Sequence, residues 1–157
     1  MKNKIISTLT EITSALSQLE DEFFVIGSAA LLLSNIEIGE TQDIDILTST
    51  KDSNKLQQLY KNILEEQPTT KEDNLFKSNF ARLKHPIMDI EIMGDLKVLN
   101  NGIWLPVEIK EYQEININKV TIKIPTLKEQ IKLLKLFGRE KDLKKIKEIE
   151  TIRDEDK

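Results

Sequence analysis

Two aspartates one residue apart, in Asp43-Ile44-Asp45-Ile46, are the side chains of this sequence best placed to do chemistry. Side chains alternate along a strand, so Asp43 and Asp45 project from one face while Ile44 and Ile46 point into a core. Carboxylates held side by side repel, and a divalent cation gives a reason to keep them there. Mg²⁺ takes oxygen ligands and commonly uses one or two carboxylates plus substrate phosphates. Upstream, with fourteen residues between Ser28 and Asp43, stands Phe23-Phe24-Val25-Ile26-Gly27-Ser28. It reads as a short apolar strand running into a Gly-Ser turn that opens a helix, whose backbone N–H groups can receive a phosphate. Further along, Asp89 and Glu91 share the polar face of Ile87–Met93, opposite Met88, Ile90 and Ile92. Metal, phosphate and clustered carboxylates together point to nucleotide chemistry.

These residues need a scaffold, and the apolar periodicities supply one. Ile5, Leu9, Ile12, Leu16 and Leu19 recur at three- and four-residue steps, which predicts an amphipathic helix over 3–19. Strands are expected at 23–26 and 43–47, with a short helix over 29–34 and a loop over 35–42 between them. Asp52 or Ser53 is placed to cap a helix whose core face is Leu56, Leu59, Tyr60, Ile63 and Leu64. Residues 67–74 read as a turn or loop containing Pro68, and 75–83 as a strand with Phe76, Ser78 and Phe80 on one side. His85-Pro86 marks a turn, and the strand 87–93 is expected to end at Gly94. Residues 102–109 and 115–124 are extended, the second bent near Asn118-Lys119. Thr126-Leu127-Lys128-Glu129 is a capping box opening a helix that Gly138 ends. A charged helix with Leu143, Ile146 and Ile149 as its stripe follows. Helices and strands alternate first and strands dominate later, so the expected class is α/β (α+β), a mixed β-sheet flanked by helices with C-terminal helices. One domain over 1–157 is expected, with its core at about 20–125 and the last helices at about 126–153.

The chain has 157 residues, no cysteine, one histidine and a net charge of −4. Disulfides, Cys-ligated zinc and thiol nucleophiles are therefore excluded, as are sites built from several histidines. Without a basic run, bulk binding to nucleic-acid backbones is not expected. No stretch approaches a membrane span, so a cytoplasmic protein is the default expectation.

Gly27-Ser28, Asp43-x-Asp45 and the acidic strand at 89–91 together resemble the nucleotidyltransferase superfamily, whose fold is that of DNA polymerase β. The segment from Leu133 to Leu143, with Lys135 and Gly138-Arg139-Glu140-Lys141-Asp142-Leu143, resembles small bacterial and archaeal nucleotidyltransferase-like proteins, abortive-infection and toxin types included. Ile90-Glu91-Ile92-Met93-Gly94-Asp95 resembles single-domain members. The resemblance implies that Asp43, Asp45 and a third carboxylate hold Mg²⁺ or Mn²⁺. It favours Glu91 for the third position, while wider superfamily usage favours Asp89. That residue would bind the acceptor-side metal or act as general base.

The resemblance further implies an NTP substrate, with Gly27 and Ser28 on its phosphates, and an acceptor that is a small molecule, an RNA end or a protein side chain. Here the chain departs from the superfamily. Ala29-Ala30-Leu31 and Gly39-Glu40-Thr41-Gln42 stand where many relatives carry Arg or Lys, or Arg-x-Thr. The missing cation counts against triphosphate affinity and favours a module that has lost catalysis, unless the C-terminal helices supply it: the resemblance implies Lys135, with Arg139 and Lys141 as alternatives. Each feature also has a plainer reading. Gly27 can simply turn the chain, Ser28 can cap a helix, and the three cations can face solvent in a salt-bridge-laced helix. An NMP-transferring enzyme and a catalytically silent nucleotide- or partner-binding module, such as one half of a toxin–antitoxin pair, both remain open.

Overall fold

The computed structural model describes residues 1–66 and 70–155. In chain order its elements are α1 (Lys2–Leu16), β1 (Phe24–Ile26), α2 (Gly27–Leu33), β2 (Asp43–Thr48), α3 (Thr50–Leu59), β3 (Thr70–Glu72) and β4 (Phe76–Leu83). Then come β5 (Asp89–Asn100), β6 (Ile103–Pro106), β7 (Tyr112–Ile117), β8 (Val120–Pro125), α4 (Leu127–Phe137) and α5 (Glu140–Glu155). The strands form one eight-stranded mixed sheet in the order β3-β4-β5-β2-β1-β8-β7, with β6 paired to β5. This is the expected α+β class.

One face of the sheet is closed by α1, α2 and α3. Ile5, Leu9 and Ile12 of α1 meet Ile44, Ile46, Ile90 and Ile92, the inward half of the two alternating acidic strands. The opposite face carries a second cluster in which Phe24, Ile26 and Leu47 meet Leu133 of α4. A third cluster docks α5: Ile146 and Ile149 pack with Leu31 of α2 and Leu134 of α4. Of the stripe foreseen for the last helix, Ile146 and Ile149 fix α5 against α2 and α4 over the acidic end of the sheet, whereas Leu143 is exposed and takes no part.

Several local expectations are corrected. Ser49, not Asp52 or Ser53, caps α3, its hydroxyl accepting from Asp52 N–H at 3.1 Å. Asp52 is instead buried, its carboxylate accepting from the N–H groups of Glu20 (3.1 Å) and Asp21 (2.7 Å). Strand β5 does not stop at Gly94 but runs on to Asn100. Gly94 is required for another reason: a Cβ there would lie 2.9 Å from Thr50 Cα, where the start of α3 crosses the sheet. Residues 115–124 are not a bent strand but the end of β7, a turn and most of β8. Asn118 (φ 50°) and Lys119 (φ 67°) both adopt the left-handed conformation that tight hairpins favour. Thr70–Glu72 pairs with β4 where a loop was expected, and Gln67, Pro68 and Thr69 of that segment lie outside the described residues.

Candidate active site

Strand pairing brings the acidic residues together. Strands β2 and β5 are parallel, with Asp43 opposite Asp89 and Asp45 opposite Glu91. Carboxylate oxygens of Asp43, Asp45 and Glu91 all lie within 4.8 Å of one another. Asp89 is not in this trio: its carboxylate accepts from Lys84 Nζ at 3.2 Å, and the side chain is partly exposed. Glu91 is held by Arg82, directly opposite it on β4, whose guanidinium forms a close ion pair with Glu91 Oε1. The other branch of Arg82 lies 3.5 Å from Glu65.

The antiparallel neighbour of β2 delivers the Gly-Ser turn. Ile26 of β1 is opposite Asp45, so Gly27 follows directly beside it. Gly27 has φ +71°, and a Cβ added to it would meet Asp45 Oδ2 at 3.0 Å. Ser28 stands next, its hydroxyl accepting from Lys145 Nζ at 2.8 Å.

The electrostatics record the crowding. Burial, then the charges of Asp43 and Glu91 and a hydrogen bond with Glu91, push the Asp45 carboxyl up to about 8. Asp43 is also raised, first by burial and then by Glu91, with Arg82 opposing. Among the described residues, Asp45 Oδ1 is buried without a hydrogen-bond partner. Desolvated acceptors normally have partners, and an orphan in a ring of hard oxygen donors is what a cation would satisfy. Mg²⁺ or Mn²⁺ therefore fits the donor set of Asp43, Asp45 and Glu91.

Around the carboxylates opens a cleft of about 450 Å³. Its cationic wall comes from α5, where Lys141 and Lys145 are one helical turn apart. Lys145 is half-buried, and burial lowers its pKa. Arg139 also lines the cleft but is committed locally: its Nε and Nη2 donate to the buried Asp142, and its guanidinium lies 4.9 Å from the Phe76 ring. Lys135, in the last turn of α4, is exposed and is not among the cleft residues. The structure thus gathers Gly27, Ser28, Asp43, Asp45 and Glu91, leaves Asp89 at the rim on Lys84, and leaves Lys135 outside. Sequence reasoning missed Lys145. The available signal was its position four residues after Lys141 and beside Ile146 of the apolar stripe, which places it at the edge of the packed face.

No family model matches the chain, and no curated protein matches it in sequence. Solved structures do. TM1012 of Thermotoga maritima, described as a candidate nucleotidyltransferase, aligns with a TM-score of 0.75 at 21% identity, covering 97% of this chain and 92% of its own. The lincosamide antibiotic adenylyltransferase LnuA, bound to lincomycin, aligns with a TM-score of 0.57 at 18% identity, over 97% of this chain and 98% of its own. The antibiotic-resistance factor ANT(2″)-Ia gives 0.55 at 11% identity, over 98% and 91%. The fold of this chain is that of the nucleotidyltransferases.

Proposed function

We propose that this chain, built on a nucleotidyltransferase-type fold, transfers a nucleoside monophosphate from an NTP to a hydroxyl acceptor. The observation that carries the reading is Asp45 Oδ1, buried beside Asp43 and Glu91 and without a hydrogen-bond partner among the described residues. Those three residues would hold Mg²⁺ or Mn²⁺, which when bound neutralises their charge and polarises phosphoryl oxygens.

The remaining roles fall to side chains that line the same cleft. Ser28 and Lys145, joined by their 2.8 Å hydrogen bond, form a polar and cationic corner beside the carboxylates that suits the β- and γ-phosphates. Lys141 adds a second positive charge to the same wall. Lys145 thus supplies the cation whose absence after Ser28 favoured a silent module. In the transfer, an acceptor oxygen forms a bond to the α-phosphorus while the bond from that phosphorus to the bridging oxygen breaks. Pyrophosphate departs with the electron pair towards Ser28 and Lys145, and Glu91 takes the acceptor proton. LnuA is by name an adenylyltransferase for a lincosamide, which supports a small acceptor and makes ATP the first nucleotide to try.

Thermal unfolding with each of the four NTPs, with and without Mg²⁺, tests the reading. At a hundred times the dissociation constant, ligand adds about 2.7 kcal/mol, a Tm rise of roughly 5–10 °C for a chain of this length. The rise is expected to need Mg²⁺, to vanish in Asp43→Asn/Asp45→Asn, and in Lys145→Ala to require about 10–100-fold more nucleotide. Pyrophosphate release that survives the double substitution would overturn the mechanism. Nucleotide binding without release under any acceptor would leave the silent module, toxin–antitoxin half included.

A further inference from the structure

We propose that the acceptor is a small, neutral, amphipathic alcohol whose apolar ring or chain sits against Phe76, Phe80, Met93 and Phe137; this rests on the transfer reading above. The sheet sets the site in a row. Ser28 and Lys145 lie at the β1 end, Asp43 and Asp45 on β2, Glu91 on β5, and β4 lies beyond. In-line displacement at phosphorus places attacking and leaving oxygens on opposite sides. With pyrophosphate leaving towards Ser28 and Lys145, the acceptor hydroxyl arrives from the β4–β5 side, past Glu91.

That side of the cleft is apolar. Phe80 is opposite Met93 in the β4–β5 ladder, two pairs along from Arg82 and Glu91, so these side chains share the face of the carboxylates. The rings of Phe76 and Phe137 meet edge to face at 4.9 Å. The polar groups there are already engaged. Arg139 is paired with Asp142 and stacked on both rings, at 4.9 and 5.8 Å. Asp73 Oδ1 accepts from the N–H groups of Leu75 and Phe76. Among the described residues, the buried Ser78 adds a small hydroxyl between the aromatic side chains.

A polycationic acceptor would need a carboxylate wall on this side, and an RNA end would need cations for the phosphates that precede it. A chain of net charge −4 whose cleft cations stand on the opposite wall or are paired offers neither. The whole cleft of about 450 Å³, which the nucleotide's phosphates share, is of the size that small molecules fill.

Isothermal titration separates this proposal from the one beneath it. Mg²⁺ with α,β-methylene-ATP is titrated first, then neutral aryl diols (chloramphenicol and 3-phenyl-1,2-propanediol), neomycin, a 12-nucleotide RNA and a Ser/Tyr peptide. The expected result is that the nucleotide binds and the aryl diols bind to its complex. Ser78→Phe, which fills the subsite, and Phe137→Ser, which opens it, should each weaken diol binding at least tenfold and weaken nucleotide binding less. Lys135→Ala, outside the cleft, should change neither. If the nucleotide does not bind, the transfer reading fails and the acceptor falls with it. If the nucleotide binds but neomycin, RNA or peptide takes the place of the diols, or both variants hold diols as the wild type does, only the acceptor proposal is overturned.

Discussion

Gly27 and Asp45 show how closely backbone and chemistry are matched at the level of single residues. The turn after β1 needs a left-handed conformation, which costs an L side chain about 1–2 kcal/mol. The same glycine also leaves room for Asp45 Oδ2, which a Cβ would approach to 3.0 Å. The two readings of this position, a turn former and part of a site, are therefore one constraint. Gly27→Ala is expected to lower stability by about 1–2 kcal/mol and to displace the Asp45 carboxylate. The second effect is the diagnostic one, because Mn²⁺ should then raise Tm less than in wild type. An unchanged metal-dependent shift in Gly27→Ala would show that the contact does not position Asp45. The choice between Asp89 and Glu91 was not legible from alternation, since both share a face. Only the parallel register of β2 and β5, and the diversion of Asp89 to Lys84, set Glu91 beside Asp45.

Among the elements, α4 carries Leu133 and Phe137 into the cleft, and its first turn fixes where it starts. Thr126 caps it as the sequence pattern predicts, accepting from Glu129 N–H at 3.2 Å. The Glu129 side chain does not return to Thr126. It is buried and accepts from the backbone N–H groups of Lys110 and Glu111, tying the helix to the segment before β7. Removing that carboxylate leaves two donors unpaired, so Glu129→Ala should cost about 2–4 kcal/mol, and Glu129→Gln, which keeps one acceptor oxygen, less. Urea unfolding checks this: the midpoint should fall with the slope unchanged. Equal losses in the two variants would mean that acceptance by Glu129 contributes nothing. Local signals such as this cap, Gly138 and the apolar stripes were readable because each lies within a few residues. The reach of β5 through Gly94 was not, because that glycine answers to α3, a segment more than forty positions earlier. Lys145 was hidden for a similar reason. Its neighbours spell a solvated helix, and only docking of Ile146 and Ile149 on Leu31 and Leu134 turns it to Ser28.

For the whole molecule, the buried acidic cluster makes stability depend on pH in an unusual direction. Asp45 has an ordinary pKa of 3.8 when unfolded and about 8 in the fold, burial being the largest cause. Below 3.8 both states hold the proton, and the contribution of this group is fully present. Between 3.8 and about 8 the native state keeps a proton that the unfolded chain has released, so stability falls as pH rises, by at most about 1.4 kcal/mol per pH unit. Asp45→Asn removes this titration, so without metal the wild type should lose stability relative to the variant from about pH 4 to pH 8. Because metal ligands must be deprotonated, Mn²⁺ should oppose the loss, stabilising the wild type more at pH 8 than at pH 5 and leaving Asp45→Asn nearly unaffected. Parallel pH profiles of the two proteins without metal would mean that Asp45 titrates normally. The repulsion that gives a cation its place would then be absent, and the metal reading would lose its physical basis.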